Sequence, residues 1–257
     1  MSFVLDTWYA YHDPALTVVM LFAFVLAIYF AIVPHEVAHG LVAKWNGDLT
    51  AKVNGRLTMN PVAHFDPIGF IMLITMGFGF AKPVPVNPYN FKVPRRGLFT
   101  VAIAGVTYNL GATIVSAFFY ALLMFIQSIA LQTILASNAL YYIYIFFLYF
   151  FMLSMNINVM LLLFNILPLG PLDGFKIVEA YASRDNKFVA FLRNYGTYIL
   201  IALFVLRFAA YFLMNNTPLQ WVEYIDLLGL YLGFFSHYIG GGILSLFTMM
   251  FGLGPMI

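Results

Sequence analysis

The chain contains no cysteine. Disulfides, thiolate zinc sites and a cysteine nucleophile are therefore excluded. Charge is also scarce. Asp, Glu, Lys and Arg make up 9% of the 257 residues, against about 25% in a soluble domain, and 63% are hydrophobic. Such a chain cannot cover a water-facing surface, so it reads as a polytopic membrane protein of the cell membrane. A net charge of +2 is too small to point to nucleic acid. Met1 to Ala10 holds no Lys or Arg. The basic start of a signal peptide is missing, and the first apolar run reads as an uncleaved anchor. The length fits one domain, 1–257, built as an all-α membrane bundle of about five or six segments.

Where polar residues do occur, they are informative. Ala15 to Val33 gives 19 uncharged residues, long enough to span, and the helix is predicted to run on to about Trp45. Near its end stands Pro34-His35-Glu36-Val37-Ala38-His39-Gly40. On a helix, His35 and His39 project from one face, and Glu36 lies beside them. That spacing lets two ring nitrogens reach one zinc ion and puts a general base at hand. Pro34 has two readings, a packing kink or a tilt that turns the His pair inward.

Residues 47–94 are punctuated by Gly, Asn and Pro. Lys52 to Thr58 carries Asn54-Gly55 between short alternating stretches, which predicts a small β-hairpin. Ile68 to Ala81 is apolar but too short to span. Its basic flanks predict a re-entrant loop that enters and leaves on one side. Lys82 to Pro88 is Pro-rich and extended. Gly97 to Leu172 has no charge in 76 positions. Two spans are expected there, about 97–131 and 139–167, divided near Ser137-Asn138. Phe175 to Arg193 reads as a basic loop or surface helix. A further span is expected over 195–213, interrupted by Arg207, which snorkels or pairs with an acceptor. Residues 227–257 form one C-terminal span or two shorter segments, breaking at Gly240-Gly241-Gly242. Gly97, Gly105 and Gly111 allow close helix contacts.

Eleven of the 12 basic residues fall on one side if the N-terminus is outside. The end of the first helix and the end of the third span then share the cytoplasmic face. A hydrolytic zinc needs three protein ligands and an open position. Asp173 follows the third span in an apolar, Pro/Gly-broken stretch where a free carboxylate is otherwise hard to explain. It is the best third ligand, beside the plainer reading of a helix cap. His64 reads as a structural histidine in a turn, not a ligand.

His35-Glu36-Val37-Ala38-His39 together with Asn165…Pro171-Leu172-Asp173-Gly174 resembles the site-2 protease family of intramembrane zinc metalloproteases, peptidase M50. Gly55 to Pro61, His64 to Gly69 and Ala81 to Pro88 are similar to its compact bacterial branch, without PDZ or CBS modules. The resemblance covers about residues 31–176. It implies one zinc per chain on His35, His39 and Asp173, with Glu36 as the catalytic base. It also implies cleavage of membrane-embedded helical proteins or peptides. Asn165, eight residues before Asp173, matches the family motif. It is expected either to bind substrate or an oxyanion, or to act as interhelical glue. Val106 stands where the family usually has Pro, while Asn109 is kept; a straighter helix is expected. Two other functions compete: a catalytically silent relative that binds membrane helices, and a metal-ion transporter. Substrate identity and oligomeric state are not encoded in these motifs.

Overall fold

The computed structural model describes residues 13–69, 81–183, 185–216 and 220–256. The first helix, α1, spans Pro14–Trp45. Asp13 caps it by accepting from the amides of Ala15 and Leu16 at 2.9 and 3.2 Å, and Pro14 occupies the first turn, where no N–H is needed. Pro34 sits inside the helix without ending it. Two short helices follow, α2 (Thr50–Val53) and α3 (Pro61–His64), then a 3-10 turn at Pro88–Asn90. The two central spans are α4 (Pro94–Leu135) and α5 (Asn138–Asn165). The expected break falls at Ala136-Ser137, and α4 is already non-helical at Ala130. α6 (Asp173–Tyr181) is short, and α7 (Lys187–Asn216) begins eight residues before the predicted span. A 3-10 turn at Gln220–Ile225 leads to α8 (Leu227–Ser236), a π turn at His237–Gly241 and α9 (Gly242–Met250). The π turn carries the chain through the glycine triplet, so Leu227–Met250 is one continuous stretch long and apolar enough to cross a membrane.

Among the described residues, five helices are thus long and apolar enough to cross a membrane. The protein is a multi-pass, all-α membrane protein. α1, α4 and α5 pack on one another. Their facing residues recur at helical spacing: Met20, Ala23, Ala27, Ala31, His35 and His39 on α1, and Ala102, Gly105, Asn109, Thr113 and Ser116 on α4. Small and hydrogen-bonding residues suit such an interface, because lipid offers no hydrophobic drive between helices. α9 and the π turn close over this core, with Leu244 against Ala117, Ala121 and Met155. α7 packs on α6 and α8 at the periphery. Arg207 on α7 pairs with Asp226 at 3.0 Å, so its charge finds an acceptor at the start of α8.

The hairpin expected over Lys52 to Thr58 is not formed; α2 occupies its first half. Asp48 accepts from the Thr50 amide at 3.0 Å and starts a helical turn. Gly55, at φ +65°, then ends the turn. Its amide bonds to the Lys52 carbonyl, and the Arg56 amide bonds to Ala51, the paired bonds of a Schellman cap. The same Asn-Gly pair that serves a hairpin serves this cap. Among the described residues, β pairing is limited to an antiparallel bridge of Phe65 with Ala81. That bridge ties Ala81, the end of the expected re-entrant loop, to Phe65, three residues before its start at Ile68; residues 70–80 lie outside the described residues.

Candidate metal centre

Three buried side chains converge where α1, α4 and α6 meet. His35 and His39, one turn apart on α1, bring their Nε2 atoms to 3.1 Å. Asp173, the first residue of α6, places Oδ2 2.9 Å from His39 Nε2 and 3.4 Å from His35 Nε2. Ligands about 2.0 Å from a tetrahedral zinc stand about 3.3 Å from one another, so these spacings suit a shared ion.

The hydrogen bonds behind the rings decide what faces that centre. His39 Nδ1 lies 2.7 Å from the Val101 carbonyl, which can only accept, so Nδ1 carries the proton. His35 Nδ1 lies 2.5 Å from Asn109 Oδ1. Asn109 is held in that orientation by its own NH2 group, which donates to the Ala31 carbonyl at 3.2 Å and to Asn158 Oδ1 at 2.7 Å. Asn158 in turn donates to the Ser154 carbonyl at 2.8 Å. His35 Nδ1 must therefore donate as well. Both Nε2 atoms then offer bare lone pairs, and the third atom is a carboxylate oxygen. Three acceptors pointing at one another repel unless a cation joins them. The donor set fits zinc, with a second shell that fixes each ring.

Asp173 is oriented by Lys176, whose Nζ donates to Oδ1 at 3.0 Å and leaves Oδ2 for the histidines. Burial pushes the Asp173 carboxyl up, while the positive charge of Lys176 beside it favours the carboxylate. Gly105 makes the closure achievable. A Cβ there would lie 2.4 Å from both His35 Cε1 and His39 Nε2, so only a bare backbone lets α4 approach the rings. Gly97 similarly meets Phe91, whereas Gly111 faces open space.

Glu36 is half-buried beside the pair. Its Oε2 accepts from the Val84 amide at 2.9 Å. Val84 belongs to the extended Lys82 to Pro88 segment, which is pinned on either side of it. The Lys82 amide bonds to the His64 carbonyl at 2.8 Å, and the Asn87 amide to Asp48 Oδ2 at 2.7 Å. Asn165 ends α5, half-buried, and its side chain makes no hydrogen bond to a described residue. It is not among the residues bonded to the His–Asp group. His64 is fully buried and bonds through Nε2 to the Thr58 carbonyl at 2.8 Å. His237 is exposed on the π turn, and His12 lies outside the described residues.

The structure draws together His35, His39 and Asp173 and sets Glu36 next to them. Sequence reasoning did not single out Lys176, Asn158, the Val101 carbonyl or the Val84 amide. The i, i+3 spacing of Asp173 and Lys176 is a readable signal. So is an Asn in the middle of an uncharged span. Backbone groups leave no trace in a sequence.

A Bacillus subtilis (strain 168) protein named "Putative zinc metalloprotease YwhC" is 36% identical over 190 residues, which is 74% of this chain and 83% of that protein. The chain belongs to the YwhC family. Neither a family model nor a solved structure matches the chain. Membership of the YwhC family supports zinc metalloprotease as the class of activity. The buried His35, His39 and Asp173 group gives this member of the YwhC family a set of side chains that could hold the metal.

Proposed function

We propose that this chain is an intramembrane zinc endopeptidase of the site-2 protease type, hydrolysing peptide bonds in membrane-embedded helical substrates. The observation that carries the proposal is the meeting of three lone-pair donors from two distant helices, buried next to a carboxylate. Asn165 belongs to the same reading, as a side chain near the end of α5 that donates to no described residue.

His35, His39 and Asp173 would hold the metal, which when bound would supply Lewis acidity toward water and the substrate carbonyl. Glu36 moves the proton. Val84 N–H holds Oε2, so Oε1 is the oxygen that accepts a proton from the attacking water and returns it to the leaving amide nitrogen. Water thus adds across the C–N bond and the books close with one acid and one amine. Asn165 Nδ2 donates to the oxygen on which charge develops. The positive-inside rule puts this end of the bundle at the cytoplasmic face, with the N-terminus outside.

Glu36→Gln tests the assignment. Purified variant and parent are compared for zinc content by elemental analysis and for cleavage of a helical membrane peptide in detergent or liposomes. The expected result is unchanged zinc and loss of at least about 100-fold in rate, the scale of a positioned general base. Retained proteolysis refutes Glu36 as the base. A metal transporter keeps its flux in this variant, and a silent helix-binding protein shows no cleavage in either form.

A further inference from the structure

Away from the metal centre, a second cluster has no role in the proposed reaction. A cavity of about 380 Å³ lies between the end of α1 and the start of α4. Trp45, Asn46, Lys92, Val93, Arg96 and Thr100 line it. Lys44 and Arg95 adjoin these residues in sequence and are also exposed. Among the described residues, none of Lys44, Lys92, Arg95 and Arg96 makes an ion pair, and the first turn of α4 has no acidic residue. By contrast, Lys176, Arg193 and Arg207 each pair with a carboxylate. The floor of the cavity is already satisfied: Asn46 Nδ2 donates to Thr100 Oγ1 at 3.0 Å, and the Thr100 hydroxyl donates to the Arg96 carbonyl at 2.8 Å. What the cavity offers a ligand is therefore positive charge.

Its position selects the ligand. The uncharged stretches of α1 and α4 both end here, so the cavity opens at the level where hydrocarbon gives way to headgroups. Trp45 is 70% exposed, with its ring where aromatic belts sit. Val42 and Val93 add apolar wall beside the cations. A basic pocket with an apolar wall between two spans, at the end enriched in Lys and Arg, matches the chemistry of an anionic phospholipid. The phosphate of such a lipid would face Lys92 and Arg96, and its first acyl carbons Trp45, Val42 and Val93.

We propose that the groove between the end of α1 and the start of α4 binds the headgroup of an anionic phospholipid through Lys92 and Arg96. The site has a direct structural tie to the metal centre. Thr100 on its floor precedes Val101, whose carbonyl fixes His39. A lipid bound there anchors the turn of α4 that orients a candidate ligand.

The test uses the full chain in detergent micelles. Phosphatidylglycerol, phosphatidylcholine or inorganic phosphate is titrated, and bound lipid is counted by native mass spectrometry. The expected result is saturable retention of phosphatidylglycerol over phosphatidylcholine, weakened at least about tenfold in Lys92→Gln/Arg96→Gln. Lys52→Gln/Lys187→Gln removes the same charge elsewhere and should bind as the parent does. The swap Lys92→Arg/Arg96→Lys keeps both charges and should also bind. Equal weakening in both Gln pairs, or equal retention of the two lipids, overturns the site. Competition by millimolar inorganic phosphate that displaces the lipid also overturns it, because it assigns the pocket to free phosphate.

Discussion

The tautomer of each imidazole rests on a single acceptor, and the two acceptors differ in how easily they can be removed. The Val101 carbonyl cannot be mutated away, but Asn109 can. Asn109→Leu should leave His35 without its Nδ1 partner and free the ring to rotate or to protonate on Nε2. Loss of such a second-layer bond typically weakens metal binding by about 10–100-fold. Competition with a fluorescent chelator measures it, and unchanged affinity would show that packing alone holds the ring. Gly105→Ala makes a harsher demand, since its methyl group would arrive 2.4 Å from His39 Nε2. That variant is expected to purify without zinc. Full zinc occupancy in it would mean that α4 can slide outward at little cost.

At the scale of elements, Asp48 is the knot that ties the segments around the site. It is fully buried, and its two oxygens accept from Thr50, from the Asn87 amide at 2.7 Å and from Asn90 Nδ2 at 2.8 Å. Burial pushes its carboxyl up, but these bonds more than offset that and hold it below the ordinary range. Its folded pKa is lowered, so its contribution is complete above the unfolded carboxylate value of about 3.9 and is lost as pH falls through the folded value. Asp48→Asn turns one acceptor into a donor and strands the Asn87 amide. The expected cost at neutral pH is about 1–3 kcal/mol, seen as a lower melting temperature. The variant should also show less acid sensitivity below pH ~4 than the parent. The spans themselves were legible in the sequence because uncharged runs of that length have few other uses. The turn at Asn54-Gly55 was not, because one dipeptide satisfies two geometries and Asp48, six residues upstream, decides between them. The His pair and Asp173 could be paired by chemistry before their contact was visible. Val84 could not, because its part is played by a backbone amide.

For the whole molecule, the proposed orientation, with the N-terminus outside, rests on where the basic residues gather, and the absence of cysteine makes it easy to test. Single cysteines introduced at Ser137 and at Lys52 have no background thiol to compete with. A membrane-impermeant maleimide applied to intact cells should label Ser137→Cys and spare Lys52→Cys; the reverse pattern would invert the topology. The metal centre has a further consequence. Its donors come from α1 and from the start of α6, with both central spans threaded between them in the chain. An ion held by all three closes that long stretch into a loop. It then works as a removable staple as well as a reagent, because whatever binds only the folded form shifts the folding equilibrium. Chelation should lower the melting temperature even of Glu36→Gln. Limited proteolysis of the stripped protein should cut first around Tyr181, where α6 has lost its anchor. A catalytic ion and a tertiary cross-link would then be the same atom, and starving the protein of zinc would slacken the fold as well as silence the chemistry.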